Sequence, residues 1–328
     1  MIGKRNERGM ALLTVLLLVS VMAVIAATAL DRLTLATRLA GNAVTLGQAR
    51  AWLGTAELLT TTRLDDMLAA NLSQTTLDAS WLGQPRTIAL PDGAVVTATL
   101  TDGGNCFNLN SLVSEKQPGV YGTRATGVAQ FIALMEALGI GQGVAVNVAG
   151  AAADWIDSDD VAGPSGAEDA AYAGREGGGL AASRPMADKS ELRGVAGVTP
   201  KLYATLEPWI CALPVTDLSP INVNTLLPAQ APLLTMLAPD QISPGLARAQ
   251  LSSRPAGGYG SVYRFWNSPM LARLDIPRGV AAQVQVKTDW FDLDARVGSG
   301  GLDVSEQALV DARKQPVMIA RRQWTSVR

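Results

Sequence analysis

Residues 10–30, MALLTVLLLVSVMAVIAATAL, form a run of 21 residues without a charge. The basic segment Lys4-Arg5-Asn6-Glu7-Arg8-Gly9 precedes it and Asp31-Arg32 follows at once. As a helix rising about 1.5 Å per residue, the run spans roughly 31 Å, close to the ~30 Å hydrocarbon core of a bilayer. This reads as one membrane helix whose short basic end stays in the cytoplasm, with everything after residue 31 on the other side. A removable secretory signal has a shorter apolar core, about 7–15 residues, and then a small-residue cleavage site. Ala26-Ala27-Thr28-Ala29 could serve as such a site, so that alternative stays open.

Beyond the run the pattern stays helical but becomes amphipathic. Leu33, Leu39, Leu46, Leu53 and Met67, helped by Ala36, Ala43, Leu64 and Leu68, recur at helical spacings among charged residues. No proline occurs before Pro85. The spacing predicts one helix over residues 10–72, with 10–30 in the membrane. A membrane helix followed by a separate surface helix is the alternative. Gly41, Gly47 and Gly54 would each weaken such a helix by up to ~1 kcal/mol. Residues 86–90 and 94–100 then read as two strands joined by a tight Pro91-Asp92-Gly93 turn. Near the other end, residues 282–288 alternate apolar and polar and continue into 289–293, and 304–310 and 317–320 suggest two further strands. Between these groups lie helical stretches at 128–138, 144–156, 189–195, 199–209, 228–237, 244–251 and 262–274. Strands, helices, then strands again predict an α+β chain. In it a long N-terminal helix packs on an antiparallel β-sheet domain (73–115 plus 280–328), with an α-helical domain (116–279) inserted between strands.

Composition removes whole classes of function. None of the 328 residues is histidine, which excludes Ser-His-Asp and Cys-His catalysis and imidazole metal sites, and leaves carboxylate or lysine chemistry. A net charge of −2 offers no basic surface for nucleic acid. The two cysteines, Cys106 and Cys211, would form one disulfide in an oxidising compartment; two buried free thiols are the alternative.

The densest chemistry is acidic. Asp154, Asp157, Asp159, Asp160, Glu168 and Asp169 fall within sixteen residues that hold no lysine or arginine. Carboxylates so close repel one another unless a cation sits among them, and a hard ion with oxygen ligands, Ca²⁺ outside the cytoplasm, answers the pattern. The glycine and the terminal glutamate fall at the wrong distances for an EF-hand. A solvated acidic loop and a paired-carboxylate catalytic site are the competing readings. Ile221-Asn222-Val223-Asn224-Thr225-Leu226-Leu227-Pro228 reads as a helix start, capped by Thr225 or Asn224. Ser190-Glu191-Leu192-Arg193 reads as the opening of another short helix. The glycine-rich stretch 174–179 lacks the Lys-Ser/Thr of a phosphate loop.

Arg8-Gly9 before Met10-Ala11-Leu12-Leu13-Thr14 resembles the class III leader of type IV pilins and type II secretion pseudopilins. That resemblance implies cleavage by prepilin peptidase between Gly9 and Met10, a leader of residues 1–9, a methylated new N-terminus and a retained helix. Those families usually carry Glu at the fifth mature position, where this chain has Thr14. Cys106-Phe107-Asn108-Leu109-Asn110, Asp154-Trp155-Ile156-Asp157-Ser158-Asp159, Gly166-Ala167-Glu168-Asp169 with Tyr172, Ser190-Glu191-Leu192-Arg193 and Ile221-Asn222-Val223-Asn224-Thr225 follow in order. The ordered set resembles the K subunit of the type II secretion pseudopilus, the GspK family of minor pseudopilins. The resemblance implies one or two structural Ca²⁺ ions, held first by Asp157, Asp159, Glu168 and Asp169 and next by Asp154 and Asp160. It also implies the minor pseudopilins I and J as partners, the major pseudopilin indirectly, and no enzymatic activity. The head would lie in the periplasm of a Gram-negative bacterium, anchored in the inner membrane until it joins the pseudopilus tip. A minor pilin of a type IV pilus and a membrane-anchored calcium-dependent enzyme are the rival readings.

Overall fold

The structure, a computed structural model, describes residues 4–71, 73–77, 82–90, 93–174, 179–299 and 302–327. The start of the expected leader, Pro91-Asp92 of the expected turn and most of the glycine-rich stretch lie outside them. Helix α1 (Lys4–Ala70) is a single helix of 67 residues, so the one-helix reading holds. It is long and apolar enough to cross a membrane. From Met10 to Ile25 its large apolar side chains are 50–71% exposed. Hydroxyls in this part return to their own helix: Thr14 donates to the Ala11 carbonyl, Ser20 to Leu16 and Thr28 to Ile25. Each is thereby satisfied without a partner from outside, as an apolar surrounding requires. Higher up, Ala49, Leu53, Ala56, Leu64 and Leu68 lie on one stripe and are fully buried.

Beyond α1 come β1 (Arg86–Ala89), β2 (Val95–Asp102), β3 (Phe107–Asn108), the hairpin β4 (Val113–Gln117) and β5 (Val120–Thr123), then α2 (Ala125–Ala137) and α3 (Gln142–Ile156). A run of short elements follows: α4 (Asp169–Tyr172), α5 (Pro200–Leu206), β6 (Ile210–Cys211), β7 (Ile221–Asn222), α6 (Ala231–Thr235), α7 (Pro244–Ser252), α8 (Val262–Trp266), α9 (Arg278–Ala281) and β8 (Val284–Gln285). The chain closes with β9 (Trp290–Ser299), β10 (Leu302–Asp311) and β11 (Met318–Val327). The main sheet has the order β1-β2-β9-β10-β11 and is antiparallel throughout. Strand alternation gives it two unlike faces. Val96, Ala98, Leu100, Leu293, Ala295, Val297, Val304 and Ala308 are buried with the α1 stripe. Thr99, Thr101, Asp292, Asp294 and Gln307 look the other way, across a polar cleft, to Asp188, Lys189 and Arg193 of the inserted region. A second core, running from Phe107 to Val284, fills that region.

Much of the inserted region is irregular, so its buried backbone groups need side-chain partners. Asparagines supply them. Asn108 donates to the carbonyls of Val215 and Asp217 and accepts from the amides of Leu213 and Asn110. Asn110 donates to the Met186 and Leu213 carbonyls and accepts from the Met186 amide. Where the region leaves and re-enters the sheet, Asp102 is the hub. Its Oδ1 accepts the Gly104 and Asn105 amides, and its Oδ2 accepts the hydroxyls of Thr225 and Thr288. Asn105 and Asn222 bond each other, and Asn222 reaches on to Thr288 and the Thr75 carbonyl. A disulfide joins Cys106 to Cys211 beside this hub.

Three expectations need correction, and one element was not foreseen. Residues 282–288 are not a strand of the main sheet: only Val284–Gln285 pairs, in parallel, with Ile221–Asn222. Val284 and Val286 pack on the inserted core, and the backbone forms a seam in which the Gln283, Gln285 and Val286 carbonyls accept from the Ile221, Val223 and Thr75 amides. The helix expected at 262–274 stops at Trp266, with Pro269 unable to continue it. Asn224 and Thr225 cap no helix. Thr225 serves Asp102, while Asn224 donates to the Val286 carbonyl and accepts from the Tyr259 amide. The hairpin β4–β5 was not expected at all, because its strands are short and its outer residues polar. Ser190-Glu191 does open a short helix, through a capping box with Asp188.

One polar clasp lies inside the apolar contact between α1 and the sheet. Arg322 of β11 forms two bonds of 2.6 and 2.7 Å to Glu57 of α1 and a third to Glu306 of β10, which is wholly buried. Burial, and then the Glu57 carboxyl beside it, push Glu306 up to about 7 against the pull of Arg322. Burial also acts to raise Glu57, but its bonds from Arg322 and Glu306 outweigh this and hold it below its ordinary value. The clasp is thus one guanidinium, one carboxylate and one carboxylic acid. A carboxyl raised on folding stabilises fully below its unfolded value, and that contribution is lost as pH rises through the folded value. The melting temperature should therefore fall between pH 5 and pH 8, and Glu306→Gln, whose amide can donate to Glu57 at any pH, should make that fall shallower. Identical slopes for the two proteins would contradict the assignment.

Candidate metal centre

Helix α3 ends in a run of small residues, with Ala149, Ala151, Ala152 and Ala153 buried. Gly150 sits where an added Cβ would lie 2.7 Å from the Ser165 carbonyl oxygen, so the loop after the helix folds back onto its surface. Asp154, in the last turn, is the post for that fold. It is 4% exposed, its carboxylate accepts the Gly163 amide at 2.9 Å and also the Ala167 amide, and the chain at Gly166 runs directly against it. Asp157 then leaves the helix in extended conformation and Asp159 follows it, while Glu168 returns at the N-cap of α4.

This fold-back gathers three of the six expected carboxylates. One oxygen each from Asp157, Asp159 and Glu168 lie within 4.8 Å of one another. Asp157 Oδ2 accepts the Thr123 hydroxyl at 2.8 Å, and Asp159 Oδ1 accepts the Val161 amide at 3.0 Å. Asp157 Oδ1 and Glu168 Oε1 are buried without a hydrogen-bond partner, although their residues are only 3% and 9% exposed. Asp169, expected in the same set, gives Oδ1 to the Ala181 amide at 2.8 Å and stands outside the group. Asp154 is committed to the loop backbone, and Asp160 is exposed. Thr123 was not expected. Nothing in the sequence marks a hydroxyl 34 positions before its partner.

The electrostatics follow from this crowding. Burial first, then the charges of Asp159 and Asp154, raise Asp157 to about 6 despite the Thr123 bond. Burial and the charges of Asp154, Asp157, Asp159 and Asp169 raise Glu168 to about 7. Two buried carboxylate oxygens without a donor among the described residues, in a group of three acids, are costly as they stand. The donor set, oxygen throughout and on a loop held by glycines, fits a hard divalent cation.

Two family models described as "Type II secretion system (T2SS), protein K" match residues 105–215 and 221–287. A protein of Aeromonas hydrophila named type II secretion system protein K is 36% identical over 331 residues, which cover 97% of this chain and 97% of that protein. One of the same name from Klebsiella pneumoniae is 34% identical, again over 97% of each. Among solved structures, the chain is similar to one in the crystal structure of the GspK-GspI-GspJ complex from the type 2 secretion system of enterotoxigenic Escherichia coli. The identity is 32% and the TM-score 0.73, covering 85% of this chain and 96% of that one.

The fold-back gives a direct test of how the site is built. A Cβ on Gly166 would stand 1.7 Å from Asp154 Oδ2 and 2.5 Å from its Cγ, whereas one on Gly174 meets nothing within 4 Å. Gly166→Ala should cost about 1–3 kcal/mol of stability through overpacking, and Gly174→Ala should be near neutral. Equal melting temperatures for the two variants would refute this account of the loop.

Proposed function

The chain belongs to the protein K family of the type II secretion system, and from that premise we propose that it is a minor pseudopilin standing at the tip of the pseudopilus. In this reading it joins the I and J subunits, primes assembly of the fibre and helps move folded proteins across the outer membrane. It serves as a structural component rather than a catalyst. The observation that carries the reading is the similarity to a subunit solved together with GspI and GspJ, over 96% of that subunit's length. The lower part of α1 supports it. Leu33, Leu35, Leu39 and Val44 stay 59–70% exposed above the apolar run, a surface suited to sister helices.

Before assembly α1 anchors the chain in the inner membrane with the head in the periplasm. Prepilin peptidase cuts between Gly9 and Met10, and methylation follows. Thr14 suits the end of a fibre. A fifth-position carboxylate needs the amine of the subunit above it, and without that subunit it would be an unpaired charge in lipid. The Thr14 hydroxyl needs no such partner, since it bonds the Ala11 carbonyl. Full-length chain extracted in detergent should co-purify with the I and J subunits as one complex. Recovery of the chain alone, with both partners present and folded, would refute the assignment.

Calcium belongs to the same reading. Asp157, Asp159 and Glu168 would hold the ion, which would supply the positive charge that the group lacks; the buried bare oxygens of Asp157 and Glu168 support this. Ligand carboxyls must be ionised to bind, so protons compete with the metal. Calorimetric titration should show Ca²⁺ binding at pH 8 that weakens as pH falls through about 7 and then about 6, where Glu168 and Asp157 take up protons. Asp157→Asn should abolish the heat. Wild-type protein giving no heat with Ca²⁺ would rule the site out.

A further inference from the structure

The acidic loop is tied to an element that none of its own carboxylates belongs to. β5 lies beside the end of α3, and three hydrogen bonds cross between them. The Thr123 hydroxyl donates to Asp157 Oδ2 at 2.8 Å, the Tyr121 amide donates to the Ser158 hydroxyl at 2.9 Å, and the Ser158 amide donates to the Tyr121 carbonyl at 2.9 Å. The base of the hairpin is fixed in turn. Val113 pairs with Thr123, and the next amide, that of Arg124, donates to the Leu112 carbonyl where α2 begins. Its far end shows no such ties among the described residues: Glu115, Lys116 and Val120 are exposed around a turn closed by Gly119.

From this geometry we infer that Thr123 is a positioning residue for the cation site, and that cation binding at Asp157 fastens the β4–β5 hairpin to the acidic loop. The inference rests on the calcium reading given above and adds a role for residues outside the carboxylate set. A carboxylate on an unrestrained side chain can turn either oxygen to an ion. Here the Thr123 bond occupies Oδ2, which leaves the buried Oδ1, without a partner among the described residues, as the oxygen free to take an ion in the group with Glu168 and Asp159. Fixing that rotamer beforehand removes an ordering cost from binding. The same bond works in reverse. An ion that immobilises Asp157 strengthens the hold on Thr123, and Ser158, the next residue, carries the effect to Tyr121. Coupling of this kind is reciprocal: whatever loosens the hairpin weakens the ion by the same factor.

The test uses full-length protein in detergent, with Ca²⁺ alone as the probe, and reads two quantities. One is the calcium dissociation constant by calorimetry for wild type, Thr123→Val and Thr123→Ser. The other is amide hydrogen exchange at Tyr121 and Ser158 in wild type, with and without Ca²⁺. Loss of the bond that fixes the Asp157 rotamer should weaken Ca²⁺ binding by about two- to tenfold in Thr123→Val, while Thr123→Ser, which keeps the hydroxyl, stays near wild type. Ca²⁺ should slow exchange at both amides. An unchanged dissociation constant in Thr123→Val overturns the inference while leaving the calcium site standing, and so does exchange that Ca²⁺ does not alter. The exchange arm needs no variant and decides the matter even if Thr123→Val fails to fold. Wild-type protein that binds no Ca²⁺ overturns the cation reading itself, a separate and recognisable result.

Discussion

The bonds made by one carboxylate, Asp102, hold the sheet and the inserted region together as a single body. An insertion between neighbouring strands requires the chain to leave and return at nearly the same place, and here both passes meet at the end of β2. The hub accepts two amides from the departing segment, one hydroxyl from Thr225 within the insertion and one from Thr288 on the return. Burial still raises Asp102 to about 6, a measure of how dry the joint is even with four donors turned toward it. The joint is polar and therefore specific. Each member is a buried group whose neighbours lose their partners if it goes, so the arrangement is satisfied in full or not at all. The disulfide secures the same neighbourhood by a covalent route, and in the chain-entropy model a link across 105 residues is worth about 4–5 kcal/mol.

The parts of the fold with a long period were legible in the sequence. α1, the strand pair at β1 and β2, and α2 and α3 repeat their apolar positions often enough for the period to declare itself. The closing strands β9, β10 and β11 were placed but drawn too short, since polar residues such as Asp294, Arg296, Arg321 and Gln323 line the face turned from α1. Two misreadings share a cause. Asn224 and Thr225 carry side chains that cap helices, yet the same hydrogen-bonding capacity lets them close buried loops, and only the tertiary setting decides between these uses. Residues 282–288 alternate because Val284 and Val286 pack on the inserted core, while their backbone is taken up by β7 and by Thr75, the latter a contact across some 210 positions that no local window contains.

The acidic site was legible for another reason: its charge density is visible without any structure. What the sequence concealed was the division of labour within it. Six similar carboxylates became one post for the loop (Asp154), a group of three facing each other, one bound to a distant amide (Asp169) and one left in solvent (Asp160). Which of them does which depends on where Gly150 and Gly166 allow the backbone to pass close to α3. Those glycines matter as much to the site as the acids do, because they set the distance at which the acids meet.

α1 is one unbroken helix from Lys4 to Ala70, a length of about 100 Å at 1.5 Å per residue. Its upper third is bonded into the head by a dry apolar stripe and by the Glu57–Arg322–Glu306 clasp, while in its lower half every described side chain from residue 9 to residue 37 is exposed. Mechanically this is a rod welded into its load at one end. No proline interrupts it to act as a joint, and Gly41, Gly47 and Gly54, the residues that could soften it, all stay helical. A push along the axis at the free end therefore arrives at the sheet as thrust, and a rotation of the rod turns the whole head with it.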